Sequence, residues 1–241
     1  MPITVEILDD KESKDAIESV FSYFGYIDDK FSTYKDMSEI SRINRGEIKE
    51  ADYSKDMARV FALSEETKSK TGGYFNILFP NGKYDPSGLV KGWAIHNASK
   101  MLEEQGTRDF YIEAGGDIQA HGKNSEGRAW RVGIRNPFNI QEIVKAIYIN
   151  GEGVATSGTY IRGQHIYNPF RPRETITEIV SLTVIGPNIF EADRFATAAF
   201  AMSREGIRFI EGLDGFEGYI IDRSGIATMT SGFGKYTQEI D

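Results

Sequence analysis

Phe110-Tyr111-Ile112-Glu113-Ala114-Gly115-Gly116-Asp117-Ile118 reads as a strand, a Gly-Gly-Asp turn and the start of a second strand. The same signal recurs as far as Val184, with short strand-like runs broken by Gly-Lys-Asn-Ser, Asn-Pro and Ser-Gly turns, which predicts an antiparallel sheet. Upstream, Met1 to Leu8 alternates like one strand and the rest is helical. Ile17, Val20, Phe21, Phe24 and Ile27 recur at helical spacing within residues 14–29. A short helix is expected over 38–46, ending at Gly46, and an amphipathic helix over 54–70. A further helix opens near Pro86, with Leu89, Val90, Trp93, Ala94, Ala98, Met101 and Leu102 as its buried stripe. Helices over 190–202 and 205–211 and strands over 218–221 and 226–230 close the chain. Helices and strands are partly segregated, so the expected class is α+β rather than an alternating parallel α/β fold. With no linker, repeat or low-complexity tract, residues 1–241 are expected to form a single domain.

Composition narrows the function. The chain has 241 residues, 40% of them apolar, with 15 Phe and 12 Tyr to build a core. A charged fraction of 27%, a mean hydropathy of -0.39 and the lack of any long apolar run exclude a membrane-spanning protein. Twenty-eight Lys and Arg against 36 Asp and Glu leave a net charge of -8, which argues against nucleic acid as a partner. A phosphorylated ligand must then be held locally, by a few cations, a helix N-terminus or a metal ion. Cysteine is absent, which removes disulfides, thiolate metal sites and a cysteine nucleophile. The opening residues lack the basic end and apolar stretch of a signal peptide, so the expected location is the cytoplasm.

Four segments carry polar residues with chemical potential. Asp85-Pro86-Ser87-Gly88-Leu89-Val90-Lys91-Gly92 places an acid, a small residue and a cation within two turns of a helix start. This is either an anion cradle or a capped helix with a surface lysine. Asp193 and Thr197 lie one turn apart on the late helix. They are either two hard oxygens suited to Mg²⁺, or an N-cap and a carbonyl-bonded threonine. The run Val154–Tyr160, with Thr156 and Ser157, precedes His165, which is placed either to take a proton from a hydroxyl or as a structural histidine. Ser157 has no nucleophile-elbow context, so a serine hydrolase is not expected. The Gly115-Gly116-Asp117 turn is equally explained by a plain hairpin. His96 and His121 lack zinc-site spacing, and no GxGxxG or Walker A run is present.

Read in order, these segments resemble the ApbE family of FAD:protein FMN transferases. The resemblance is carried by Phe31-Ser32-Thr33-Tyr34 with Ser38-Glu39-Ile40-Ser41-Arg42-Ile43-Asn44, by Asp85 to Gly92, and by Gly115-Gly116-Asp117-Ile118. It continues through Trp130-Arg131-Val132-Gly133-Ile134, Ala155-Thr156-Ser157-Gly158, His165-Ile166-Tyr167-Asn168-Pro169 and Ala192 to Phe200. It implies duplicated T-fold-like α+β units around a central FAD cleft. It also implies Mg²⁺ on the pyrophosphate, held by Asp193, Thr197 and the backbone carbonyl of Gly88. Asp85, Lys91, His165, Thr156 and Ser157 would face the flavin nucleotide, and Tyr34, Tyr74, Phe75 and Asn76 would line the pocket.

The implied reaction moves FMN from FAD to a Thr or Ser hydroxyl of a partner flavoprotein bearing a D-x-x-(S/T)-G-A-T-like motif, with release of AMP. Lys91 would assist, and His165 would deprotonate the acceptor. A FAD pyrophosphatase giving FMN and AMP, and a non-catalytic FAD-binding module, are the alternatives. The chain departs from the family pattern in three places: residues 77–84 are much shorter than the usual segment, Asn76 and Asn168 replace Asp, and Ser87 replaces Gly. One wall of the pocket is therefore expected to be missing or rebuilt.

Overall fold

A computed structural model describes residues 1–9, 13–159 and 166–238. In chain order its elements are β1 (Ile3–Ile7), α1 (Ser13–Phe31), α2 (Glu39–Asn44), α3 (Lys55–Lys70), α4 (Ser87–Glu104), β2 (Phe110–Ala114) and β3 (Asp117–His121). They continue with β4 (Trp130–Asn136), β5 (Asn139–Ile149), β6 (Gly153–Gly158), β7 (Ile179–Gly186), α5 (Ile189–Ala201), α6 (Gly206–Glu211), β8 (Glu217–Asp222) and β9 (Ala227–Met229). The α+β class and the order of elements follow the sequence reading.

Local chemistry sets several helix starts. Ser38 Oγ accepts the Ser41 N–H at the head of α2, and Ser54 Oγ accepts the Met57 N–H at the head of α3. At α5 the cap is Asn188, whose Oδ1 accepts the Glu191 N–H at 3.0 Å. This corrects one of the two readings of Asp193: the helix begins a full turn earlier, and Asp193 lies inside it.

Seven strands pair antiparallel in the order β1-β2-β3-β6-β7-β8-β9, while β4 and β5 form a separate ribbon. Strand alternation divides the core between the two faces of the sheet. On the inner face Phe110, Ile112, Ala155, Leu182, Val184 and Ile220 pack against α1, α4 and α5. On the outer face Ile118, Val154, Ile185, Tyr219 and Ile221 are covered by Trp130, Val132, Ile134, Ile147 and Ile149 of the ribbon, and by Phe233 and Tyr236 near the C-terminus. Within the ribbon only the end of β5 nearest β6 is buried; Gln141, Ile143 and Val144 in its first half are exposed.

Helix α5 is almost wholly buried, and its alanines let it lie close to both the sheet and α4. Gly153 makes that approach possible, since a Cβ there would sit 2.0 Å from the Ile189 nitrogen. Gln119 of β3 then fixes the helix start, its Oε1 accepting the Ile189 N–H at 2.9 Å. The fold thus delivers the middle of α5 to the first turns of α4, above the start of β3.

Candidate functional site

Helices α4 and α5 cross at two glycines. A Cβ on Gly92 would lie 2.6 Å from Asp193 Cβ, and one on Gly88 would lie 3.0 Å from Thr197 Cγ2. The missing side chains bring backbone and polar groups into direct contact. Gly92 N–H donates to Asp193 Oδ2 at 2.8 Å, and Thr197 Oγ1 donates to the Gly88 carbonyl at 3.1 Å. Thr197 is therefore bonded to a carbonyl, as one of its two sequence readings had it, but that carbonyl belongs to the facing helix and to a glycine of the site.

Lys91 is not the surface lysine of the alternative reading. Its side chain is only 17% exposed, with Nζ 2.7 Å from Asp117 Oδ2 and 3.9 Å from Asp193 Oδ1. Asp117 is fully buried at the first position of β3, after Gly115 and Gly116, whose φ values of 61° and 93° demand glycine. Its other oxygen, Oδ1, accepts the Thr156 N–H at 3.1 Å. Burial pushes the Asp193 carboxyl well above the usual carboxylate range; Lys91 and the Gly92 N–H pull it back, while nearby Asp117 adds to the rise. An acid in that state has strong affinity for a positive charge.

A cleft opens at this crossing. Its polar end holds Asp85, Ser87, Gly88, Lys91, Asp193 and Thr197; Thr156, Ser157, Tyr74, Phe75 and Asn76 lie along the remaining wall. Ten of the expected site residues thus meet at one place, though they come from four separate stretches of chain. At the head of α4, Asp85 Oδ1 accepts the Ser87 N–H at 3.0 Å, and the N-cap, Pro86, makes no side-chain cap bond. The short 77–84 segment rebuilds its wall: Leu78 bridges to Tyr84, and the Phe79 and Tyr167 rings lie 4.5 Å apart. Tyr167 Oη also donates to the Leu78 carbonyl at 3.0 Å, strapping the two segments together.

Two expected residues are not gathered there. Tyr34 is 97% exposed and does not line the cleft, because it sits on the turn after α1 that Ser38 closes by donating to the Ser32 carbonyl. His165 lies outside the described residues. Asp117 is the residue that sequence reasoning left as a hairpin position. A carboxylate opening a strand just after a Gly-Gly turn was the available signal.

A second, more apolar recess lies on the other side of α4, between Phe21, Phe24 and Phe31 of α1 and Val90 and Ala94 of α4. Ser87 and Lys91 line both recesses, so the two meet at the head of α4.

A helix N-terminus, a half-buried lysine, buried acids and hard oxygens between two recesses suit an elongated phosphorylated ligand. The chain belongs to the ApbE family, which matches residues 1–81 and 79–220. It is 30% identical over 166 residues to the FAD:protein FMN transferase of Escherichia coli K12, covering 65% of this chain and 47% of that protein. It is 33% identical over 130 residues to the Vibrio cholerae enzyme of the same name, covering 50% and 39%. The chain spans about half the length of the curated relatives it matches. Among solved structures, the flavin transferase ApbE from Vibrio cholerae superposes with a TM-score of 0.84 at 20% identity, over 97% of this chain and 95% of that one. An ApbE protein from Thermotoga maritima superposes with a TM-score of 0.85 at 19% identity, over 97% and 96%. Among the described residues no helix is long and apolar enough to cross a membrane.

Proposed function

We propose that this protein transfers the FMN portion of FAD to a threonine or serine hydroxyl of a partner flavoprotein, releasing AMP, with Mg²⁺ as the required ion. The observation that carries this reading is the convergence of the Gly88 carbonyl, Thr197 Oγ1 and the Asp193 carboxylate beside Lys91 in one cleft. One buried carboxylate, one hydroxyl and one carbonyl form a hard-oxygen donor set with room for water and phosphate oxygens, which fits Mg²⁺. Among the described residues there is no cluster of three or more His, Cys, Asp or Glu, so the cleft does not suit a metal that needs an all-protein cage. When bound, Mg²⁺ supplies positive charge against the pyrophosphate.

The protein's own groups do the rest. The Gly88 end of α4 and the Lys91 ammonium bind the phosphates, and Lys91 offsets the charge that grows on the departing AMP. The two recesses that meet at Ser87 and Lys91 accommodate the two ends of a dinucleotide whose pyrophosphate crosses the head of α4. The acceptor hydroxyl attacks the flavin-side phosphorus, a new P–O bond forms, and the bond to the bridging oxygen breaks so that AMP leaves. His165 takes the hydroxyl proton in this reading. Tyr74 and Phe75 pack along the ligand, and Asp85, Asn76, Thr156 and Ser157 complete its polar wall.

The test is incubation with FAD and Mg²⁺, with and without a protein domain bearing D-x-x-T-G-A-T, following AMP and protein-bound flavin. AMP release that depends on the acceptor, with flavin on its threonine, is expected. AMP with free FMN and no need for acceptor would make the protein a pyrophosphatase, and no AMP under either condition would make it a binding module.

A further inference from the structure

The wiring of Lys91 raises a problem for the site. An ammonium within 4 Å of a buried carboxylate normally closes onto it, because an unpaired buried ion costs several kcal/mol. Closed onto Asp193, Lys91 would fill the place a divalent cation needs. Instead its Nζ sits 2.7 Å from Asp117 and 3.9 Å from Asp193. The Asp193 Oδ2 is held separately by the Gly92 N–H, and Asp193 lines the cleft.

Asp117 is built to compete for that lysine. It is fully buried, and its position is held from both sides: by the glycine turn before it and by the Thr156 N–H on Oδ1. The β3–β6 ladder consists of Ile118 opposite Val154 and Gln119 opposite Gly153. Beyond those two rungs the Asp117 side chain takes over the pairing of β6, so it cannot swing away without freeing a backbone N–H. Its second oxygen lies against the Lys91 ammonium, and the Asp193 carboxyl is close enough to feel the Asp117 charge. A strand end needs only a neutral acceptor; a buried charge there is explained by the cation it holds.

We propose that Asp117 is a positioning residue that draws the Lys91 ammonium away from Asp193, leaving the Asp193 carboxylate open to a divalent cation and Lys91 beside the phosphate cradle. The inference rests on the flavin-transfer reading for the role of the cation, but its test needs no turnover.

The full chain is titrated with Mn²⁺, as a paramagnetic stand-in for Mg²⁺, at FAD concentrations raised until each variant is saturated, and free Mn²⁺ is followed by electron paramagnetic resonance. In Asp117→Asn the neutral amide still accepts the Thr156 N–H, but Lys91 closes onto Asp193. The Mn²⁺ dissociation constant should rise by about tenfold or more. Adding Lys91→Met should restore Mn²⁺ binding to within about threefold of wild type, a rescue that a purely structural role for Asp117 does not produce. Unchanged Mn²⁺ affinity in Asp117→Asn, or a loss that persists in the double variant, would overturn the proposal. Should Asp117→Asn fail to fold alone, Lys91→Met is compared with the double variant. Equal Mn²⁺ affinities support the proposal, and a further loss of about tenfold in the double variant overturns it. Wild-type protein that binds Mn²⁺ yet puts no flavin on an acceptor would overturn the transferase reading alone.

Discussion

The two faces of the seven-stranded sheet come from the same strands and are built in opposite ways. The outer face is apolar under the ribbon, where Trp130, Ile134, Ile147 and Ile149 meet Ile185 and Tyr219. The inner face, where it reaches α4 and α5, buries Asp117, Gln119 and Asp193 together with most of Lys91. Apolar burial is non-directional and stabilises in proportion to area. Buried ions and amides help only when each has its partner, and key partners here come from far along the chain: Gly92 bonds Asp193 across 101 positions and Ile189 bonds Gln119 across 70. The outer face is therefore held by apolar burial alone, while the inner face, which carries the larger apolar core, also sets aside one patch to keep charges in place for a ligand.

That division can be broken first at Asp193. Asp193→Asn keeps an acceptor for the Gly92 N–H and removes a buried charge. Flavin transfer should fall at least about a thousandfold, about 4 kcal/mol in the barrier. The melting temperature in the absence of metal should hold or rise. A fall in melting temperature that parallels the lost activity would mean the inner face is as structural as the outer one.

Ile147→Ala tests the opposite face. Ile147 is fully buried under the ribbon, and its truncation should cost about 3 kcal/mol of stability in denaturant unfolding. FAD affinity should not change, and a weakened affinity would show that the two faces are coupled.

Gly92→Ala sharpens the comparison at the helix crossing. The added methyl meets Asp193 Cβ and the Ile189 carbonyl, so about 2 kcal/mol of stability should be lost together with Mn²⁺ affinity. A variant that keeps both would mean the helices part at little cost.

The smallest effect is expected at His96 on α4, whose pKa is lowered by burial and further by nearby Lys100. The native state then binds a proton less readily than the unfolded chain does, so stability should decline as pH falls through about 6.5. His96→Gln should flatten the dependence of melting temperature on pH between about 7.5 and 5.5. An unchanged slope would assign that dependence to other groups.

What was legible in the sequence follows the range of the interactions. Helical spacing from Ile17 to Ile27 and the Gly-Gly turn after Ala114 act over a few residues, and they placed α1 and the β2–β3 hairpin. The Asp85–Gly92 and Asp193–Thr197 segments were visible as candidates, each with a plain structural alternative beside it. Those alternatives were separated by the cap at the head of α5 and by the packing of α4 against α5 and β3. Asn188 rather than Asp193 caps the late helix, and Lys91 is half-buried against β3 rather than solvated. Tyr34, grouped with the pocket by its motif, stands on an exposed turn.

By itself the sequence determined the helices and strands, their α+β order, the lack of thiol chemistry and a set of oxygen-bearing residues suited to a phosphorylated ligand. All of these depend on residue type and on spacing within a turn or two of chain. Only the tertiary structure decided that Asp117 joins Lys91 and Asp193, that the short 77–84 segment closes its own wall, and that the two recesses meet at the head of α4. The physical reason is that a buried charge is defined by its partners, and those partners become neighbours only when α4, α5 and the sheet pack together.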